Sequence, residues 1–167
     1  MLFQIGGTAL SVAIVTVVGQ CIGRRDIADA RKFIKSFLGL SSIFFVLIIA
    51  ILLPIFPWLV KLYSPPESIV SDIFQLILLI SIAQPIVWSF SFILPSALRA
   101  AGDSKFTSIT ALITMWLFRV ILGYIFGITL QLGVFGVWIA MVTEWAVRGI
   151  IFGFRFKGEA WYKNKIV

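Results

Sequence analysis

The run FFVLIIAILL at residues 44–53 is apolar on every face that a helix or a strand would present. Strands of membrane barrels alternate apolar and polar residues over about 10 positions, so this run does not read as one. It sits inside a longer apolar segment, 36–60. About 20 such residues, coiled as a helix, cross the roughly 30 Å hydrocarbon core of a bilayer. A helix also satisfies its own backbone hydrogen bonds where water is absent.

Four more segments pass the same length test: 2–22, 73–98, 106–130 and 134–154. The expected fold is an all-α membrane protein of about five transmembrane helices. Composition agrees, with 60% apolar residues, 13% charged residues and a mean hydropathy of +1.08, against about 25% charged in soluble domains. The hydrophobicity of the first segment is lowered by Gly6, Gly7, Thr8, Ser11, Thr16 and Gly19. Small residues let helices approach closely, so this helix is expected inside a bundle, away from lipid. It does not read as a cleaved signal, because it has no basic leader and outruns the 7 to 15 apolar residues of one.

The basic residues outside the spans test the assignment independently of hydropathy. Arg24, Arg25, Arg31, Lys32 and Lys35 follow the first segment, Lys61 the second, and Arg99 and Lys105 the third; none follows the fourth, and Arg155, Lys157, Lys163 and Lys165 end the chain. Five, one, two, zero and four alternate as five crossings should. The positive-inside rule then places the first and third loops and the basic tail 155–167 in the cytoplasm, with the N-terminus outside. An odd span count with an outside start points to preceding spans missing from this sequence. The net charge of +7 is thereby explained by topology, and no nucleic-acid partner is expected. With one cysteine, Cys21, and no histidine, neither a disulfide nor a His/Cys metal site can be built.

Three charges fall inside spans: Arg119, Glu144 and Arg148. Each costs at least about 2.5 kcal/mol at a helix centre on insertion scales, so each needs a partner. Glu144 and Arg148 stand four apart with the acid first, the favourable order for a same-face ion pair. Arg119, counted back from the short turn at Gly133 at about 1.5 Å per residue, reaches a depth near Glu144. One buried cluster is expected. It reads either as a titratable relay or as a structural clamp, and the clamp is favoured because two flanking guanidiniums hold the carboxylate charged.

Polar residues inside the third span, Gln75, Ser81, Gln84, Ser89 and Ser91, include candidates for cavity lining. Gln75, Gln84 and Trp88 are the set expected to offer amides and an aromatic plate to a flat organic cation; helix-to-helix hydrogen bonding explains Gln84 equally well. Pro54 and Pro57 interrupt the second span, and Pro85 and Pro95 the third; kinks are expected there. Ser64, Pro65, Pro66 and Glu67 read as a helix stop and restart. The spacings Gly19/Gly23, Gly123/Gly127 and Gly149/Gly153 match G-x-x-x-G, a weak signal among frequent glycines. No catalytic set and no metal or cofactor motif is visible.

Two loop sequences resemble a known family. Val18-Gly19-Gln20-Cys21-Ile22-Gly23-Arg24-Arg25-Asp26, then Ala28 and Ala30, resembles the VGQ-x-x-G-x-x-D…A segment of multidrug and toxic compound extrusion (MATE) transporters. Leu98-Arg99-Ala100-Ala101-Gly102-Asp103-Ser104 resembles their LR-x-x-GD-[ST] segment. The resemblance implies the last five helices of a twelve-helix cell-membrane transporter with two pseudo-symmetric halves. It implies cation-coupled antiport, driven by sodium or protons, of a small organic substrate, with the missing N-terminal half and membrane lipid as partners. The signature residues Gly19, Gln20, Gly23, Asp26, Arg99, Gly102 and Asp103 would then be hinge residues, their glycines permitting tight helix ends beside basic groups that meet anionic head groups. The third span has no interior acid, so the family's cation site is not expected there, and Glu144 matches no cation-site motif. A related lipid-linked-saccharide flippase and a complete small structural or regulatory subunit are the alternatives.

Overall fold

The computed structural model describes residues 2–64 and 66–162. Pro65, Lys163 and Lys165, read above as part of a loop and a tail, lie outside the described residues. The described residues are helical almost throughout and contain no strand. In chain order they form α1 (Leu2–Gly23), α2 (Ile27–Tyr63), α3 (Glu67–Ala83), a π-helical segment (Gln84–Ile93), α4 (Leu94–Ala100), α5 (Ser104–Thr114), two further π-helical segments (Met115–Leu122 and Ile125–Thr129) and α6 (Gly133–Lys157). These elements join into five rods long and apolar enough to cross a membrane.

The span 36–60 occupies only part of α2, whose 37 residues reach about 55 Å. Asp26 starts this helix by accepting a hydrogen bond from the Asp29 backbone N–H at 2.9 Å. The first turns carry Asp29, Arg31, Lys32 and Lys35, so the helix begins well before its apolar stretch. Pro54 and Pro57 lie inside the helix without ending it. Ser64 does end it, in the left-handed region at φ 44°, with its N–H on the Val60 carbonyl.

The third rod behaves differently. Pro85 and Pro95 bracket the π-helical segment: each lacks the N–H of a regular i→i−4 bond, and the ladder between them runs in wider turns. The Pro85 carbonyl takes a hydroxyl from α2, Ser42 Oγ, at 2.5 Å, and Ser41 Oγ is hydrogen-bonded to Ser89 Oγ. Where plain kinks were expected, the prolines frame a change of helix type stitched to a neighbour.

α1 packs by one face only. Gly7, Ile14, Val18 and Cys21 are buried, while Ile5 and Val12 on the opposite face are 63% and 70% exposed. Within this chain the helix is covered on one side only. Its glycines do serve close packing: a Cβ on Gly6 would strike the Phe44 ring, and one on Gly7 the Trp88 ring. From there an aromatic row crosses the molecule, with Phe45 edge-on to Trp88 at 5.0 Å, Trp88 stacked on Phe92 at 4.8 Å, and Phe92 edge-on to Trp145 at 5.7 Å. Each such pair contributes about 0.5–1.5 kcal/mol. That matters here, because lipid removes the hydrophobic drive between helices and leaves packing to hold them.

Candidate functional site

Arg119 projects from the π-helical segment Met115–Leu122, and Glu144 and Arg148 project from α6. Their side chains meet. Glu144 is fully buried; Arg119 Nη2 lies 2.6 Å from its Oε2, and Arg148 Nη1 lies 2.9 Å from its Oε1. Arg148 is held on two further sides: its Nε donates to Ser91 Oγ at 2.7 Å, and its guanidinium sits 4.7 Å from the centre of the Phe92 ring. Both partners come from the π-helical segment of the third rod. The cluster therefore ties together the last three rods at the point where two of them depart from α-helical geometry, a departure often found at functional sites.

The other polar candidates separate. Gln84 and Trp88 are buried in the helix packing, at 2% and 3% exposure, and Trp88 is sandwiched in the aromatic row. Gln84 Oε1 has no hydrogen-bond partner among the described residues. Gln75 is exposed on the outside of α3. The three do not share a cavity wall. The two larger hollows lie elsewhere: an apolar groove of about 560 Å³ between the third rod and α6, floored by Val87, Phe90 and Gly149, and one of about 590 Å³ bordered by Arg31, Lys35 and Lys157.

The two signature loops prove to be one turn built twice. After α1, Arg25 N–H bonds the Ile22 carbonyl and Asp26 N–H the Cys21 carbonyl, both at 2.9 Å. After α4, Gly102 N–H bonds the Arg99 carbonyl and Asp103 N–H the Leu98 carbonyl, both at 3.0 Å. This pairing is the Schellman helix end. Each turn has one left-handed residue, Arg25 at φ 60° and Gly102 at φ 92°, and an aspartate at the N-cap position of the next helix; Asp26 caps with its side chain, whereas the Asp103 side chain makes no capping bond. Gly102 takes the role expected of it. Gly23 does not: it is the last residue of α1, a Cβ there would meet nothing within 4 Å, and Arg25 takes the left-handed position. Gly19 is equally open, and Gln20 supplies its carbonyl to Arg24 N–H at 3.1 Å.

The second turn and the start of α2 both reach the end of α6. Asp103 receives a two-pronged bond from Arg155, Nε to Oδ2 at 2.7 Å and Nη2 to Oδ1 at 3.0 Å. Arg31 donates to the Gly158 carbonyl at 2.9 Å and lies over the rings of Phe156, Trp161 and Tyr162. These contacts were not anticipated from the sequence. The only hint was an arginine immediately after the apolar stretch 134–154, at the same end as a signature aspartate. They also correct the reading of 155–167 as a simple tail: α6 runs to Lys157, and Trp161 is fully buried. Arg99 caps nothing; its Nη2 bonds Ser96 Oγ at 3.0 Å. Among the described residues no three His, Cys, Asp or Glu side chains come together as a metal site.

Comparison with known proteins gives this architecture a lineage. The MatE family model matches residues 1–125. The chain is 32% identical over 169 residues to the uncharacterized transporter YisQ of Bacillus subtilis (strain 168), covering 98% of this chain and 36% of the relative. It is 27% identical over 154 residues to the probable multidrug resistance protein NorM of Bacillus licheniformis, covering 89% and 33%. A probable multidrug resistance protein NorM of Idiomarina loihiensis is 26% identical over 153 residues, again covering 89% and 33%. The chain spans about a third of the length of these curated relatives. Their family is one of transporters and not of enzymes. With its five membrane-crossing rods, the chain belongs to the MatE family of efflux-type membrane transporters.

Proposed function

We propose that the chain forms most of one half of an antiporter that exports small organic, often cationic, compounds by alternating access, with inward sodium or protons as the driving gradient. The observation that carries this reading is the twice-built turn at one end of the bundle, in a chain whose relatives include two probable multidrug resistance proteins. Turns with the same backbone bonding at the ends of α1 and α4 let rods tilt together as a body, and alternating access in transporters of repeated halves is largely rigid rocking of one half against the other. The basic end is the cytoplasmic one by the positive-inside rule, in the plasma membrane, and the exposed face of α1 is a surface for the partner half.

In this reading the charge cluster clamps the half together and does not carry the coupling ion. Glu144 gives each carboxylate oxygen to a different arginine, one from the fourth rod and one from its own helix, so both oxygens are taken up in holding helices together. The acid that binds the driving cation belongs to the remainder of the transporter.

The test is efflux of ethidium from cells stripped of their own pumps. The chain alone should not export it. The chain fused behind the N-terminal remainder of the Bacillus subtilis relative should, and an ionophore that collapses the sodium or proton gradient should abolish export. A fusion that inserts at normal levels and leaves ethidium retention unchanged would contradict the proposal.

A further inference from the structure

A third, smaller hollow of about 150 Å³ lies between the third rod, α5 and α6, beside the charge cluster. Arg148, Arg99, Ser91 and Thr107 supply its polar wall, and Phe92 and Phe152 belong to its apolar one; no carboxylate lines it. The hollow has room for about five waters, at roughly 30 Å³ each, or for one small ion with part of its shell.

Charge makes the choice of ion. Two guanidiniums, Arg119 and Arg148, share the single carboxylate of Glu144, which leaves one positive charge in excess at the cluster. Arg99, more exposed, stands at the same hollow. Uncompensated charge within a membrane is expensive and attracts a partner. Donors are also to hand. Arg148 uses Nε on Ser91 and Nη1 on Glu144, so Nη2 remains for another acceptor. Ser91 Oγ accepts from Arg148 and keeps its own hydrogen to give. Thr107 offers none, because its hydroxyl points at the carbonyls of Asp103 and Ser104.

We propose that this hollow binds one small monovalent anion of the halide class, held by Arg148, Arg99 and the Ser91 hydroxyl. It acts as the missing counter-ion of the cluster. The aromatic wall favours a weakly hydrated ion such as bromide over fluoride or sulfate, since stripping water from the latter two is costlier.

The experiment is thermal unfolding of the full chain in detergent. Sodium and ionic strength are held fixed while bromide replaces gluconate, which is too large for the hollow. Expected is a saturating rise in unfolding midpoint with bromide and none with fluoride. Ser91→Ala and Arg99→Gln should each weaken the apparent affinity about tenfold, as expected for losing a hydrogen bond to a charged group. Lys35→Gln, at a different groove, should leave it unchanged. If Arg99→Gln fails to fold, Ser91→Ala decides alone. Equal midpoints in bromide and gluconate would overturn the site, as would a non-saturating rise, or one that Ser91→Ala leaves intact.

Discussion

Glu144 illustrates how far single residues can be read in a membrane chain. A buried carboxylate has few acceptable neighbours in lipid, so spacing and depth sufficed to bring Arg119 and Arg148 to it. Removing one member of a buried ion pair leaves a bare charge, at about 3–5 kcal/mol. Glu144→Gln strands two arginines at once and should lower the yield and thermal stability of the chain in detergent. Thermal unfolding of the purified variant measures this. Unaltered stability together with lost transport in the fusion would move Glu144 from clamp to ion path. Ser91 was visible as a polar residue in an apolar span, but its partner was not. The Arg148 to Ser91 bond crosses 57 residues, and no local rule reaches that far. The same holds for Gln84 and Trp88, which helical spacing put on one face and tertiary packing then enclosed.

At the level of elements, the five rods were legible because the bilayer demands long apolar helices, and their ends were less so. α2 begins nine residues before the apolar stretch assigned to it, since membrane boundaries are set by lipid and helix boundaries by caps such as Asp26. Of the π-helical segments only Gln84–Ile93 left a trace in the sequence, its prolines; Met115–Leu122 and Ile125–Thr129 left none, because the shift from i→i−4 to i→i−5 bonding is decided by neighbouring helices. The paired turns yield a direct prediction. Arg25 holds a left-handed conformation that costs a non-glycine residue about 1 kcal/mol. Arg25→Gly should therefore stabilise the chain by about that amount, and Gly102→Ala should destabilise it similarly. Chemical or thermal unfolding of both variants checks the pair; a destabilised Arg25→Gly would mean that the side chain holds the turn more than the backbone strains it.

Over the whole molecule, the two Schellman turns, the Asp103 to Arg155 fork and the Arg31 contacts with the end of α6 gather at one end. Much of the bundle's remaining surface is apolar: Trp58, Ile82, Trp116, Ile128 and Phe154 are all exposed. Such a surface suits lipid and a partner half. The G-x-x-x-G spacings add little to this assembly, since Gly19, Gly23, Gly123 and Gly153 have open space where a Cβ would stand. One glycine of each later pair is close-packed, Gly127 against Val137 and Gly149 against Phe90, where a Cβ would come 3.0 and 3.1 Å from its neighbour; Gly136, outside these spacings, is tighter, its Cβ 2.6 Å from the Phe126 backbone.

The central claim is a five-span half with both signature turns on the cytoplasmic side. It is tested most directly by labelling single cysteines in cells in a Cys21→Ser background. Cysteines at Tyr63 and Gln131 should react with a membrane-impermeant thiol reagent from outside. Cysteines at Lys105 and Gly158 should react only after permeabilisation. Outside labelling at Lys105 or Gly158, or protection at Tyr63 or Gln131 in intact cells, would contradict the account.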